Sequence, residues 1–328
     1  MQRGHHRTGC GCSPVGLTRR TDDRDRAIAS TEPDSTGEAV RERVRDVLRG
    51  AHLAEPHGAA IAAALAAPGN ILSESPDYRW ARILWTCCMA AGGTCHLAVP
   101  AAAAVEIFMV ALDLLDDIED AEVTPLVAAL GAANAVNAST ALLFLAQRAM
   151  LDGAGPAAMA LLLDAGLRAC DGQHADLSPP PDRPLELEEA LAVAAAKSAP
   201  LVELACRLGA HCANADAELQ ERYARFGAAA GMAAQLANDL RAVLPGAVGK
   251  ADIALRRPTL PLVYAATRAA AVGAPDDPAT QPGSWEHGPI QLTWVVAETY
   301  RRHALELVPQ LTSSPTSRHE LAALLCVL

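Results

Sequence analysis

Most of this chain consists of apolar runs that have the period of an α-helix. From about residue 37 to the end, runs of about 12–25 residues alternate with short clusters of proline, glycine and aspartate. The alternation of valine, isoleucine and threonine that is typical of half-buried strands is hard to find. The pattern predicts an all-α protein with a single helical domain.

Capping residues, prolines and glycines divide these runs into separate helices. They predict helices at about 38–52, 56–66, 78–91, 99–120, 124–151, 155–170, 182–196, 200–213 and 216–244, and a final pair after a loop at 272–289. Residues 1–36 are instead rich in arginine, aspartate, threonine, glycine and serine, which predicts a disordered leader. We therefore expect a leader at 1–36 and a helical domain at 37–328.

A column of carboxylates stands inside one of the apolar runs. Asp113, Asp116, Asp117 and Asp120 share one helical face, and Glu106 falls on the same stripe about three turns earlier. Stacked like charges repel, and apolar surroundings make unpaired charge more costly still. A solvated acidic face is the alternative, but the neighbours are too apolar for it. The column favours a site for Mg²⁺, which prefers carboxylate oxygens and keeps waters that a phosphate can replace.

A second polar column lies within a later apolar run. Gln235, Asn238, Asp239 and Ala242 repeat the same spacing. Taken alone, this column fits a polar helix–helix contact equally well. Two oxygen-rich columns in one bundle favour a magnesium–phosphate cluster held between helices.

Charge and hydropathy exclude some classes of function. The net charge of −11, without a basic stripe, argues against nucleic-acid binding. The apolar runs are interrupted before they reach the ~20 residues of a membrane-spanning helix, so no stable membrane insertion is expected. The first residues lack the apolar segment of a signal peptide. We expect a soluble, cytoplasmic protein.

The cysteines indicate reduced thiols. There are nine, an odd number, and most stand in apolar helical contexts. A zinc site at the start of the chain is possible by spacing, but the composition there favours a disordered segment; its four candidate ligands are His5, His6, Cys10 and Cys12.

Several motifs, in order, resemble the trans-isoprenyl diphosphate synthase (polyprenyl synthetase) family of class I isoprenoid synthases. Residues 116–120 (Asp-Asp-Ile-Glu-Asp) are similar to the first aspartate-rich motif, and residues 235–239 lie where the second belongs. The family's Gly-Gln-x-x-Asp-Leu, Lys-Thr-Ala and Asp-Ile-x-x-Gly-Lys-x-Thr-Leu-Pro segments resemble residues 172–177, 197–199 and 252–261. The resemblance covers about residues 38–310.

The resemblance implies a helical bundle around a central cavity, in which an allylic diphosphate ionises with the help of roughly three Mg²⁺ ions per site. It implies catalytic roles for Asp116, Asp117, Lys197 and Gln235, and metal ligation by Asp116, Asp117, Asp120, Asn238 and Asp239. It implies diphosphate contacts by Arg79, Arg82, Lys197, Arg256 and Arg257, and a hydrocarbon pocket at Phe108, Ala111 and Leu112. It also implies a homodimer.

The chain departs from the family where the acceptor's diphosphate binds. Elongating members carry an Arg-Arg pair after the first motif, whereas residues 121–125 are Ala-Glu-Val-Thr-Pro. Met109 stands where those members have His or Gln, so Arg79 and Arg82 alone remain of that site. Too few cations hold a diphosphate poorly. The departure puts ordinary elongation with isopentenyl diphosphate in doubt.

The second motif and the pocket also differ. Asn238 replaces an Asp, Ala242 replaces the last Asp, and Gly246 does not restore a terpene-cyclase motif. By analogy, the non-aromatic Ala111 and Leu112 predict a pocket for a C15 or longer prenyl chain. These features resemble a divergent bacterial branch of specialised prenyltransferases and noncanonical terpene synthases.

We therefore predict a Mg²⁺-dependent enzyme that ionises an allylic prenyl diphosphate and transfers the prenyl cation to an acceptor. One alternative is a terpene synthase or cyclase on the same fold. Another is a noncatalytic regulatory subunit of a prenyl diphosphate synthase, which the weakened second motif favours and the intact first motif opposes.

Overall fold

Helices make up the architecture throughout the described part of the chain. The computed structural model describes residues 23–180, 183, 185–244, 259–271 and 288–326, with side chains from residue 35 on. In these ranges the helices are α1 (Asp23–Arg49), α2 (Glu55–Leu65), α3 (Arg79–Ala90), α4 (Cys95–Glu119), α5 (Pro125–Leu130), α6 (Ala132–Leu177), α7 (Leu187–Cys212), α8 (Ala217–Val243), α9 (Leu260–Ala271), α10 (Pro289–Leu311) and α11 (Pro315–Leu324). No strand occurs in them, which confirms the all-α prediction.

Several predicted boundaries are wrong. Helix α1 begins at Asp23, so it overlaps the expected leader, whose first 22 residues lie outside the described ranges. Pro100 and Pro200 lie inside α4 and α7 instead of marking a helix start and a break. A proline removes one backbone hydrogen bond, and the burial of both helices compensates for it. Helix α6 runs on to Leu177 across a kink at Gly155.

The chain divides into two units, Met1–Ser35 and Thr36–Leu328. Within the larger unit, α7 is central and packs against α3, α6 and α8, while α4 packs against α6. The middle of α4 is fully buried, and its run of alanines from Ala101 to Ala104 lets neighbouring helices approach closely. The cysteines in the described ranges are all free thiols.

Two glycines permit the close approach of α7 to its neighbours. A Cβ atom on Gly172 of α6 would lie 2.3 Å from the backbone nitrogen of Lys197. A Cβ atom on Gly209 of α7 would lie 2.4 Å from the carbonyl oxygen of Leu84 in α3. Both contacts are with backbone, which cannot move aside as a flexible side chain can. Glycine at these positions therefore sets the distance between the helices that surround the cavity described below.

Two helices, α4 and α6, are long and apolar enough to cross a membrane by length and composition alone. This is weak evidence for a membrane span, because buried helices of soluble proteins meet the same criteria. The most apolar stretch of α4 is 72% buried inside the protein, which fits a core helix.

Candidate active site

A cavity of about 550 Å³ opens between α3, α4, α6, α7 and α8. It brings together predicted site residues from four helices and both polar columns. Of the predicted residues, those on its wall are Arg79, Leu112, Asp116, Asp117, Asp120, Lys197, Gln235, Asn238 and Asp239. Sequence positions more than 150 residues apart thus share one site.

Three predicted site residues lie away from the cavity wall. Arg82 is not among its lining residues. Phe108 and Ala111 are buried on the face of α4 that packs against α6: the Phe108 ring lies beside Gly166, and the Ala111 carbonyl accepts a 2.6 Å hydrogen bond from Ser139. Neither residue is among those that line this cavity, and their pocket roles stay predictions.

Other predicted residues lie outside the described part of the chain. Arg256 and Arg257 belong to residues 245–258, and the candidate zinc ligands His5, His6, Cys10 and Cys12 belong to residues 1–22. Their roles stay predictions.

Lys197 joins three helices at the first polar column. Its Nζ lies 3.1 Å from Asp116 Oδ1 on α4 and 3.2 Å from Asp176 Oδ2 on α6. Burial favours loss of its proton, but the neighbouring charges of Asp116, Asp176 and Asp120 outweigh that effect and raise the pKa of Lys197. A fixed positive charge therefore stands beside the carboxylates.

Gln173 of α6 holds the same column from the other side. Its Nε2 donates to Asp116 Oδ1 and to Glu119 Oε2, both at 2.9 Å. Its Oε1 is buried and has no hydrogen-bond partner within the described ranges. Turning the amide over would place that oxygen against two carboxylates, so the observed orientation is the favourable one.

The residue after Lys197 reaches the second column. The Ser198 hydroxyl donates to Gln235 Oε1 of α8, and Gln235 Nε2 donates to Asp239 Oδ1 at 2.7 Å. Asp239 is buried. Adjacent residues of α7 thus contact the two columns, Lys197 the aspartates of α4 and Ser198 the amide and carboxylate of α8.

The second aspartate of the first motif is held by the following helix. Thr124 Oγ1 donates to Asp117 Oδ2 at 3.2 Å and also accepts the Val127 N–H as the N-cap of α5. Burial raises the pKa of Asp117, and the Thr124 hydrogen bond opposes the rise. The short α5 therefore orients a carboxylate at the cavity mouth.

Glu106 has a structural role that the stripe of acids does not predict. Its side chain is 5% exposed, and Oε1 accepts the Ala81 N–H at 2.7 Å. Ala81 is in the first turn of α3, whose own N-cap residue, Tyr78, makes no side-chain cap. Glu106 thus caps α3, which carries Arg79 and Trp80 to the cavity wall. Burial raises its pKa to about 7.

The donor set fits Mg²⁺ when a phosphate completes the coordination. Across the described residues, no three His, Cys, Asp or Glu side chains converge as a preformed metal site. Mg²⁺ characteristically takes one or two carboxylates and fills its octahedron with water and phosphate oxygens, so facing columns suit it better than a closed cage. Two buried oxygens of cavity-lining residues, Gln173 Oε1 and Thr259 Oγ1, also lack hydrogen-bond partners among the residues that the structure describes. Such orphaned acceptors fit a wall that is completed by a hydrated ligand.

Sequence reasoning assigns no individual role to several residues of this network. Gln173, Asp176 and Ser198 lie in the motifs at 172–177 and 197–199, and these motifs are their only signal. Thr124 begins a predicted helix, which gives no hint of its bond to Asp117.

Comparison with known proteins identifies the family of this chain. The polyprenyl synthetase family model matches residues 75–274, more than half of the chain. The chain therefore belongs to the polyprenyl synthetase family, the trans-isoprenyl diphosphate synthases.

Curated relatives include mycobacterial enzymes. A (2E,6E)-farnesyl diphosphate synthase of Mycobacterium tuberculosis is 31% identical over 197 residues, which cover 56% of this chain and 55% of the relative. A geranylgeranyl diphosphate synthase of the same organism is 33% identical over 132 residues, which cover 39% of this chain and 36% of the relative. The match thus spans little more than half the length of the first relative and about a third of the second.

Solved structures share the fold over nearly their whole length. A polyprenyl synthetase from Streptomyces coelicolor A3(2) superposes with a TM-score of 0.71 at 24% identity, covering 90% of this chain and 98% of that one. A polyprenyl synthase from Caulobacter crescentus, solved with calcium and isoprenyl diphosphate, gives 0.74 at 22% identity, covering 92% and 95%. At these identities the likeness shows the fold.

Proposed function

We propose that this protein is a Mg²⁺-dependent prenyltransferase that ionises an allylic prenyl diphosphate. The observation that carries the proposal is the contact of Lys197 and Ser198 with both polar columns at the wall of one cavity. Carboxylates and amide oxygens on two sides, with a cation between them, form a cradle for a diphosphate and its counter-ions. Family membership and the names of the relatives support the same class of substrate.

Residues of both columns would hold the magnesium. Asp116, Asp117 and Asp120 would bind from α4, and Asn238 and Asp239 from α8. Bound Mg²⁺ neutralises the charge that develops on the departing diphosphate. Lys197 places a fixed positive charge near the diphosphate oxygens. Gln173 holds Asp116 in place by a hydrogen bond. Leu112, Leu201 and Val202 line the cavity, give the prenyl chain an apolar surface and exclude water from the cation.

The acceptor is a group other than, or besides, isopentenyl diphosphate. Arg79 lies on the cavity wall, whereas Arg82 does not. Residues 121–125 supply no cation. One arginine is a weak site for a second diphosphate. Leu112 on the wall supports a prenyl chain of C15 or longer.

Cyclisation or release as a terpene is the second candidate, because the loss of an acceptor diphosphate site suits it equally. Trp80 is the single Phe, Tyr or Trp on the cavity wall within the described ranges. Cation–π stabilisation of cyclic carbocations therefore has little support there. The regulatory-subunit alternative is disfavoured by the Lys197–Asp116 network, which an inactive partner does not require.

Mass spectrometry of products tests these functions. Purified protein with Mg²⁺ and C10, C15 or C20 allylic diphosphate, each with and without isopentenyl diphosphate, should release diphosphate. Asp116→Asn should abolish the release, while Asp152→Asn, an exposed carboxylate on α6, should not. A hydrocarbon or alcohol from one substrate alone would support the terpene synthase, and no release at all would contradict both enzymatic functions.

We further propose that the protein is a cytoplasmic homodimer that pairs through α6. Large apolar side chains on this helix are exposed, among them Val136, Phe144, Leu151, Leu163 and Leu167. The first three recur at spacings that keep them on one face. A contiguous exposed apolar face marks an interaction surface, and a second copy would cover it.

A further inference from the structure

One carboxylate in the cavity stands apart from the proposed magnesium ligands. Asp113 lies on the cavity wall one turn before Asp116 on α4. Its side chain is open to the cavity and makes no hydrogen bond or ion pair within the described part of the protein. In contrast, Asp116 contacts Lys197, and Asp117 accepts a hydrogen bond from Thr124. Asp113 is therefore free to contact a ligand.

The charges around Asp113 indicate which part of the reactants it meets. Its neighbours across the cavity are at the start of α3, where Arg79 lines the wall and Asp77 pairs with Arg79 at 3.8 Å. On its own helix, Asp116 and Asp117 lie toward the proposed metal site. A second diphosphate in this position would face Asp113 and Asp77 with one arginine for compensation. Like-charge repulsion disfavours that ligand and favours a neutral or cationic head group.

We propose that Asp113 is a further catalytic residue, which accepts the proton of an uncharged protic acceptor, an alcohol or an amine, during prenyl transfer. The inference rests on the proposed function and specifies its acceptor. The C1–O bond of the allylic diphosphate breaks, and its electron pair leaves with the diphosphate. A lone pair of the acceptor oxygen or nitrogen forms the new bond to C1. The proton on that atom moves to the Asp113 carboxylate and then to water.

The arrangement suits this transfer for two reasons. The unpaired carboxylate oxygens need no hydrogen bond broken before they accept a proton. The same cavity is also lined by Leu112, Leu201 and Trp80, which keep bulk water from competing for the cation. Asp113 thus shares one cavity with apolar side chains that suit the prenyl chain and with the arginine that remains of the acceptor site.

The test measures the partition of the ionised substrate, which is the amount of acceptor adduct formed per diphosphate released. Full-length protein, Mg²⁺ and farnesyl diphosphate are incubated with benzyl alcohol, benzylamine or isopentenyl diphosphate, and adduct and free diphosphate are quantified separately. Wild type should form the benzyl ether or amine. Asp113→Asn should lower adduct per diphosphate released by about 100-fold, the usual contribution of a general base. Total diphosphate release should change less than about threefold, because the metal ligands remain.

Matched variants separate a chemical role from a structural one. Asp113→Glu should restore part of the adduct, and Asp113→Ser should repeat the loss if the asparagine variant folds poorly. Asp152→Asn removes an exposed carboxylate of α6 that is not part of the cavity lining, and it should leave the partition unchanged. The inference would be overturned if Asp113→Asn formed as much adduct per diphosphate released as wild type does. It would also be overturned if wild type transferred the farnesyl group to isopentenyl diphosphate and to neither benzyl acceptor. Both outcomes would leave the proposed function standing. Absence of Mg²⁺-dependent diphosphate release from wild type would overturn both.

Discussion

At the scale of single residues, the Lys197 ammonium is the centre of the site. It contacts Asp116 and Asp176, and no other lysine lies on the cavity wall as described. Lys197→Met should lower kcat/KM for diphosphate release by about 100-fold, since it removes a preorganised charge from the leaving group. Arg168→Met, which breaks a pair with Glu203 outside this cavity, should leave the rate near wild type. Equal rates for the two variants would contradict the assigned role.

Glu106 gives a prediction about the pH dependence of stability. Its pKa is about 7 in the folded protein against an ordinary value of 4.5. Between these values the folded state binds more protons than the unfolded state, so this group's contribution to stability falls as the pH rises toward 7. Above pH 7 the ionised Glu106 lowers the free energy of unfolding by on the order of 3 kcal/mol.

Glu106→Gln retains an oxygen that can accept the Ala81 N–H and removes the charge. The variant should therefore unfold at higher urea concentration than wild type at pH 8, and at nearly the same concentration at pH 4.5. Urea titrations at the two pH values measure the difference. Lower stability of the variant at pH 8 would show that the ionised carboxylate is needed for the cap.

The sequence predicted the members of the site better than their contacts. Helical spacing and ordered motifs identified nine residues that line one cavity, among them Asp116, Lys197 and Asp239. The partner of Glu106 is 25 residues away on another helix, and periodicity within one helix cannot reveal it. The phase of α4 against α6, which buries Ala111 and exposes Leu112 to the cavity, likewise depends on packing.

At the scale of helices, close packing of α6 on α7 maintains the geometry of the site. Gly172 leaves no room for a Cβ atom against the backbone of Ala196 and Lys197. Gly172→Ala should push the helices apart, cost about 1–3 kcal/mol of stability, and lower activity by lengthening the Lys197–Asp176 contact. Gly58→Ala is the control, because its Cβ atom would meet only an ordinary contact in α2. Thermal unfolding and diphosphate release measure both effects, and full activity of Gly172→Ala would contradict the prediction.

Helix boundaries illustrate what propensity leaves undecided. Proline ordinarily ends a helix, yet Pro100 and Pro200 are continuous with α4 and α7. Both helices are largely buried, so tertiary packing outweighs one missing hydrogen bond. The glycine–proline kink at Gly155 joins two segments that the sequence predicted as separate helices. Such outcomes depend on neighbours that the local sequence does not specify.

At the scale of the whole molecule, the exposed apolar face of α6 predicts self-association. Phe144 is 67% exposed and Leu151 is 49% exposed, and both lie on one face of the helix. Burial of such a face against a second copy contributes roughly 25 cal/mol per Å² of apolar surface, which favours a stable pair when the face is extensive. Light scattering coupled to size exclusion should therefore give a mass of about twice 34.1 kDa.

A charged substitution in the centre of this face distinguishes pairing through α6 from other assemblies. Phe144→Glu should shift the mass to that of a monomer, because the dimer would have to bury an unpaired carboxylate. Leu97→Glu alters a similarly exposed apolar residue on α4 and should leave the dimer intact. A wild-type monomer would refute the homodimer, whereas dimers in both variants would place the interface elsewhere.

Since the cavity is lined by residues of a single chain, a folded Phe144→Glu monomer should still release diphosphate, and loss of that activity would show that pairing supports the site.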